Sequence, residues 1–119
     1  MTERTILVYY NPVCSNARGA VEILREKGFD VDIHEYLKEP LDRAELERIL
    51  DAIPNPPADL VRKDKRFEAL GLTASDYETR DAVVELLLEH PELMQRPVVF
   101  RGDRAMITRP PEQVLGLLD

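Results

Sequence analysis

The chain holds a single cysteine, Cys14, in the stretch Asn11-Pro12-Val13-Cys14-Ser15-Asn16-Ala17-Arg18. It follows a short apolar run and precedes apolar residues at helical spacing, so it falls at a strand-to-helix junction. A helix start points unpaired backbone N–H groups outward, and the macrodipole adds about half a positive charge there. Both favour thiolate over thiol, and such sites lower a cysteine pKa from about 8.5 into the range of roughly 3.5–7.5. The same donors hold an incoming oxyanion, so nucleophile and anion cradle coincide. Arg18, one turn along, adds positive charge. A free cysteine is often only a small buried hydrophobe. The Asn-Pro turn before Cys14 and the polar neighbours Ser15 and Asn16 weigh for chemistry instead.

The spacing excludes two familiar thiol sites. A cysteine-phosphatase loop needs arginine six positions after the nucleophile, where this chain has Ala20. A C-x-x-C redox pair needs a second cysteine where it has Ala17. One cysteine also leaves no internal disulfide and no multi-cysteine zinc site. If Cys14 is oxidised or forms an adduct, another molecule must bring the next thiol. His34, on the polar phase of a strand, and His90, at a helix end, read as structural.

The elements that must position Cys14 follow from periodicity. Thr5–Tyr10 is β-branched and aromatic, reads as a strand buried on both faces, and stops at Asn11-Pro12. Ala17, Ala20, Val21 and Leu24 form one helical stripe that Gly28 ends. Residues 29–36 alternate apolar and polar as a second strand, giving a parallel βαβ unit. A helix over 41–53 opens with Asp42 as cap, Glu45 completing a capping box, and Leu41 and Leu46 as a staple. Leu46, Ile49, Leu50 and Ile53 make its buried stripe. Residues 59–70 read as short helical pieces, and 79–90 as a helix capped by Thr79 and stopped by Pro91. A hairpin follows, with strands in "RPVVF" and "AMIT" around the turn "RGDR". Pro110 and Pro111 start a last helix, with Val114, Leu115 and Leu118 facing inward.

This order suits one α/β domain over 1–119. It is a mixed four-stranded sheet, βαβ then ββα, with a helical insertion at about 41–90, as in a thioredoxin-like fold. The 119 residues are 44% hydrophobic and 33% charged, enough for one core and too apolar for disorder. A net charge of −7 argues against nucleic-acid or anionic-membrane partners. The apolar part of the first residues is too short for a signal peptide, no stretch approaches a membrane span, and the expected location is the cytoplasm.

"NPVCSNAR" resembles the Asn-Pro-x-Cys-x-x-x-Arg segment of the glutaredoxin-coupled arsenate reductases. "LVRKD", "HPELMQRPVVF" and "TRPPEQVLGLL" resemble that family's later blocks, in the same order and at similar spacing, so the likeness covers essentially the whole chain. The resemblance implies a thioredoxin-like fold with a helical insertion, and a cysteine nucleophile at Cys14. It implies oxyanion-binding arginines at Arg62, Arg96 and Arg109, and a cis peptide before Pro97. It further implies arsenate or a similar oxyanion as substrate, glutathione as external thiol co-substrate, glutaredoxin as partner, and no bound cofactor. Guanidinium groups suit such a ligand: they stay charged and offer forked donors. Within the block that carries the nucleophile, Asn11, Ser15 and Asn16 support Cys14. Two positions depart from the family pattern: Tyr10 stands where a histidine is common, and Ala17 where a serine or threonine is common. A glutathione-linked thiol oxidoreductase with another substrate, and a non-catalytic redox-related regulator, remain alternatives.

Overall fold

A computed structural model describes residues 5–118. The expected span of 1–119 reaches past them at both ends, and the reading of the first four residues lies outside them. The strands are β1 (Thr5–Tyr10), β2 (Asp30–Glu35), β3 (Val98–Arg101) and β4 (Arg104–Ile107). The α-helices are α1 (Ser15–Glu26), α2 (Arg43–Ala52), α3 (Lys65–Ala69) and α4 (Arg80–Glu89), with short 3-10 turns between and after them.

The four-stranded sheet has the order β2-β1-β3-β4. β1 runs parallel to β2, with Tyr10 opposite Glu35, and antiparallel to β3, with Val8 opposite Val99. β3 and β4 form the expected hairpin, with Arg101 opposite Arg104. Because β1 and β2 are parallel, both end on the edge where α1 begins. That edge of an open α/β sheet is where ligands bind.

The sheet is covered on both faces, and the pleat of β1 feeds both cores. Ile6 and Val8 pack with Val21, Leu24, Val99, Val114 and Leu117 on the α1 face. Tyr9 packs on the other face, with Tyr36, Leu46, Ile49, Val83 and Leu87 of the segments between β2 and β3. Each fully buried apolar side chain of this kind contributes about 1.5–3 kcal/mol. The anticipated stripe of α1 is buried as a unit: Ala17, Ala20, Val21 and Leu24. Gly28, just past α1, has φ 83°, where a residue with a Cβ would be strained.

Local signals set the other helix ends. Asp42 accepts from the Glu45 amide at 2.8 Å, and Glu45 accepts from the Asp42 amide at 3.2 Å, completing the capping box. Thr79 caps α4 by accepting from the Ala82 amide at 3.3 Å. Among the described residues, no helix is long and apolar enough to cross a membrane.

The last helix departs from expectation. Pro111–Leu117 is a 3-10 helix, and its inward residues are Val114 and Leu117. Leu115 is 42% exposed, and Leu118 is only partly buried at the rim of the core. A 3-10 turn stacks residues three apart on one face, which selects 114 and 117 rather than the α-helical set. This turn lies close against α1: a Cβ on Gly19 would stand 3.1 Å from Pro111 Cγ.

Candidate active site at the N-terminus of α1

Asn11 builds the loop that presents the thiol. Its side-chain Oδ1 accepts from the Val13 amide at 3.1 Å, and its carbonyl accepts from the Cys14 amide at 3.0 Å. Asn11 is itself buried, which suits a side chain whose polar atoms are used locally. Cys14 is the N-cap of α1, with extended backbone at φ −89° and ψ 118°, and is 8% exposed.

Burial is the largest single influence on the Cys14 thiol and pushes its pKa up. The amide of Ala17, the Arg96 guanidinium and the amide of Asn16 act in the opposite sense, and together they hold the thiol below its ordinary value. Cys14 makes no side-chain capping hydrogen bond, yet the Ala17 and Asn16 amides at the helix start favour its thiolate. Ser15 opens α1, and its side chain is exposed.

The arginines arrive from two distant segments. Arg109 Nη1 stands 3.8 Å from Cys14 Sγ and donates to the Arg96 carbonyl at 3.0 Å. Arg96 precedes a cis peptide at Pro97, as expected, and Arg109 precedes a second cis peptide at Pro110, which has no signal in the sequence. The Thr108 amide donates to the Pro97 carbonyl at 3.1 Å and ties the two arginine-bearing segments together.

Arg62 reaches the same region by a separate device. Val61 and Met94 form an isolated antiparallel bridge. The Arg62 amide donates to the Leu93 carbonyl, and the Gln95 amide to the Leu60 carbonyl, each at 2.7 Å. The bridge lays Arg62 beside the segment that carries Arg96. Its guanidinium is bonded to Asp64 Oδ2 and Gln95 Oε1, both at 3.2 Å, rather than to the sulfur. Burial is the largest influence on Asp64 and raises its pKa. The Phe67 amide and Arg62 outweigh it and hold the carboxyl below its usual range.

Arg18 behaves differently from expectation. Its Nη1 donates to the Pro12 carbonyl at 2.9 Å, so it closes the loop under Cys14. With Tyr10, Val21, Glu22, Arg25 and Glu26 it lines a groove on the α1 side. Tyr10 belongs to that groove too and packs against the α1-side core.

Two residues join the site that sequence reasoning did not single out. Gln95 links Arg62 to the Arg96 amide through Oε1, at 3.2 and 3.3 Å. Tyr36, just past β2, is 1% exposed and interacts electrostatically with Arg96, Cys14 and Arg62. The signal for Tyr36 was an aromatic ending a strand parallel to the one that leads to the cysteine.

The sheet order, the cis proline and the lone cysteine at the start of α1 define a thioredoxin-like protein with one thiol on the helix. The ArsC family model matches residues 9–117. An arsenate reductase of Rhizobium meliloti is 37% identical over 118 residues, covering 96% of this chain and 81% of that one. The uncharacterized protein YfgD of Escherichia coli is 33% identical over 117 residues, covering 97% of this chain and 98% of that one. Among solved structures, an arsenate reductase from Vibrio cholerae superposes with a TM-score of 0.85 at 30% identity, covering 95% of this chain and 97% of that one. The chain belongs to the ArsC family.

Proposed function

We propose that this protein is an arsenate reductase that draws its electrons from glutathione and glutaredoxin, and that it works in the cytoplasm. The observation that carries the reading is the Arg109 guanidinium 3.8 Å from the sulfur of the chain's lone cysteine at a helix start. Family membership and the arsenate reductases among its relatives support the choice of oxyanion. The external thiols follow from there being one cysteine.

Arsenate binds among Arg62, Arg96, Arg109 and the first amides of α1. The Cys14 thiolate attacks arsenic and forms an S–As bond. One arsenic–oxygen bond breaks, and that oxygen leaves as water after taking protons from solvent. Arsenic remains pentavalent through this step. Glutathione, as thiolate, then attacks the Cys14 sulfur. The S–As electron pair stays with arsenic, which leaves as trivalent arsenite. Glutaredoxin, with a further thiol, reduces the mixed disulfide and restores Cys14. The disulfide formed overall accounts for the electron pair that arsenic gains. A charged, fixed cluster of donors suits both the ligand and the developing charge.

The test is arsenite formation with glutathione and glutaredoxin omitted in turn, in the wild type and in Cys14→Ser. Turnover that needs both donors and vanishes in the variant is expected, and unchanged turnover in Cys14→Ser ends the proposal. A second reading, a thiol oxidoreductase for another substrate, is favoured by Tyr10, which supplies no imidazole where the family commonly has one, and by Ala17, which supplies no hydroxyl where the family commonly has one. Faster reduction of a glutathione mixed disulfide than of arsenate would select it.

A further inference from the structure

The loop after α2 and the segment that follows β4 border an open cleft of about 520 Å3. Small-molecule sites usually measure about 300–1,000 Å3. Asn55, Asp59, Lys63, Gln95 and Arg109 give the cleft polar walls, and Val61 and Ile107 supply apolar surface. Arg109 ties the cleft to the chemistry, because this lining residue also places Nη1 3.8 Å from Cys14 Sγ. Gln95 ties it to the arginine cluster by accepting from the Arg62 guanidinium at 3.2 Å.

The charges of the cleft run against those of the chain. It holds two cations, Lys63 and Arg109, and one carboxylate, Asp59, in a protein of net charge −7. Neither Lys63 nor Asp59 takes part in an ion pair among the described residues. Lys63 Nζ donates to the Ala58 carbonyl at 2.7 Å and to the Val61 carbonyl at 3.3 Å. Those bonds hold the ammonium at the cleft, leave its charge unneutralised and leave a third donor for a ligand. Asp59 accepts from Asn55 Nδ2 at 3.2 Å, which steadies the carboxylate and leaves its charge unmatched. The groove along α1 is different, since its Arg18 and Arg25 are balanced by Glu22 and Glu26.

We propose that this cleft seats glutathione before its thiolate attacks Cys14. Glutathione is a tripeptide with a carboxylate at each end, an ammonium beside one of them, and its thiol on the middle residue. Two anionic groups and one cationic group complement two cations and one carboxylate. With Arg109 engaged at the sulfur, Lys63 is the cation left for a glutathione carboxylate, and Asp59 is the acceptor for the ammonium. The binding is noncovalent and moves no electrons. The inference rests on reading glutathione as the electron donor.

The experiment titrates 15N-labelled protein with S-methylglutathione, which keeps every charge of the tripeptide and has no free thiol to react. Amide shifts should appear at Lys63, Gln95 and Ile107. In Lys63→Gln the dissociation constant should rise about threefold or more, the upper part of the range for an exposed ion pair. Lys63→Arg, which keeps the charge, should bind nearly as the wild type does. Asp59→Asn separates a fitted seat from a general anion trap. It makes the cleft more positive, so a trap would bind the net-anionic ligand more tightly, whereas a seat that also holds the ammonium binds it more weakly. Weaker binding is expected. Absence of shifts, shifts confined to the groove along α1, unchanged affinity in Lys63→Gln, or unchanged or tighter binding in Asp59→Asn overturns the inference. Should a variant fail to fold, the shift map of the wild type decides alone. Binding in the cleft with no arsenite produced would defeat the proposed reaction and leave this inference standing. Glutathione-dependent arsenite formation without shifts in the cleft would do the reverse.

Discussion

Arg109 Nη1 lies 3.8 Å from Cys14 Sγ, although 95 positions of chain separate the two residues. The same nitrogen donates to the Arg96 carbonyl at 3.0 Å. One guanidinium therefore fastens the β4 end of the site to the β3 start and faces the thiol at once. Guanidinium is suited to this because its forked donors serve several acceptors without loss of charge.

The Cys14 thiol should alkylate as a low-pKa cysteine. Burial raises its pKa, and the Ala17 amide, Arg96 and the Asn16 amide outweigh that. The rate of reaction with iodoacetamide against pH should inflect below the position of an unstructured peptide thiol. Arg96→Gln should move the inflection upward. An inflection at or above the peptide value would contradict the donor arrangement.

The same shift makes folding stability depend on pH. An acid whose pKa is lower folded than unfolded contributes stability above its unfolded pKa. That contribution is lost as pH falls through the folded pKa. Urea midpoints of the wild type should therefore rise with pH through the thiol range. Cys14→Ser should remove that rise while leaving the carboxylate-driven changes at lower pH. Parallel pH curves for the two proteins would show that the thiol is not stabilised by folding.

The 3-10 register of the last helix can be tested by a pair of truncations. Leu117 is 1% exposed and Leu115 is 42% exposed. Leu117→Ala should cost about 2–5 kcal/mol, the range for emptying a core leucine site. Leu115→Ala should stay within about 0.5 kcal/mol. Denaturant unfolding decides it, and a reversed order would restore the α-helical phase that the sequence suggests.

Much of the fold was legible because its signals are local. A capping box spans one turn, so Asp42 and Glu45 announced the start of α2 without knowledge of anything else. The stripe of Ala17, Ala20, Val21 and Leu24 marked the buried face of α1, and both-sided burial marked β1. The last helix was harder, since two prolines announce a helix start without choosing between α and 3-10 winding. Its close packing on Gly19 and the α1 face is part of what the sequence could not show.

The sequence by itself determined the order of elements and the placing of one thiol at a helix start, because each depends on residues within a few positions. Family likeness, rather than spacing, pointed to Arg62, Arg96 and Arg109. Only the tertiary structure decided that Arg109 meets the sulfur, that Arg62 is tied to Asp64 and Gln95, that Arg18 turns back to Pro12, and that Tyr36 joins the cluster. Those outcomes depend on strand register and on the Val61–Met94 bridge, contacts between residues far apart in the chain. Long flexible side chains then take whichever acceptor the assembled backbone brings nearest, and no local pattern encodes that choice.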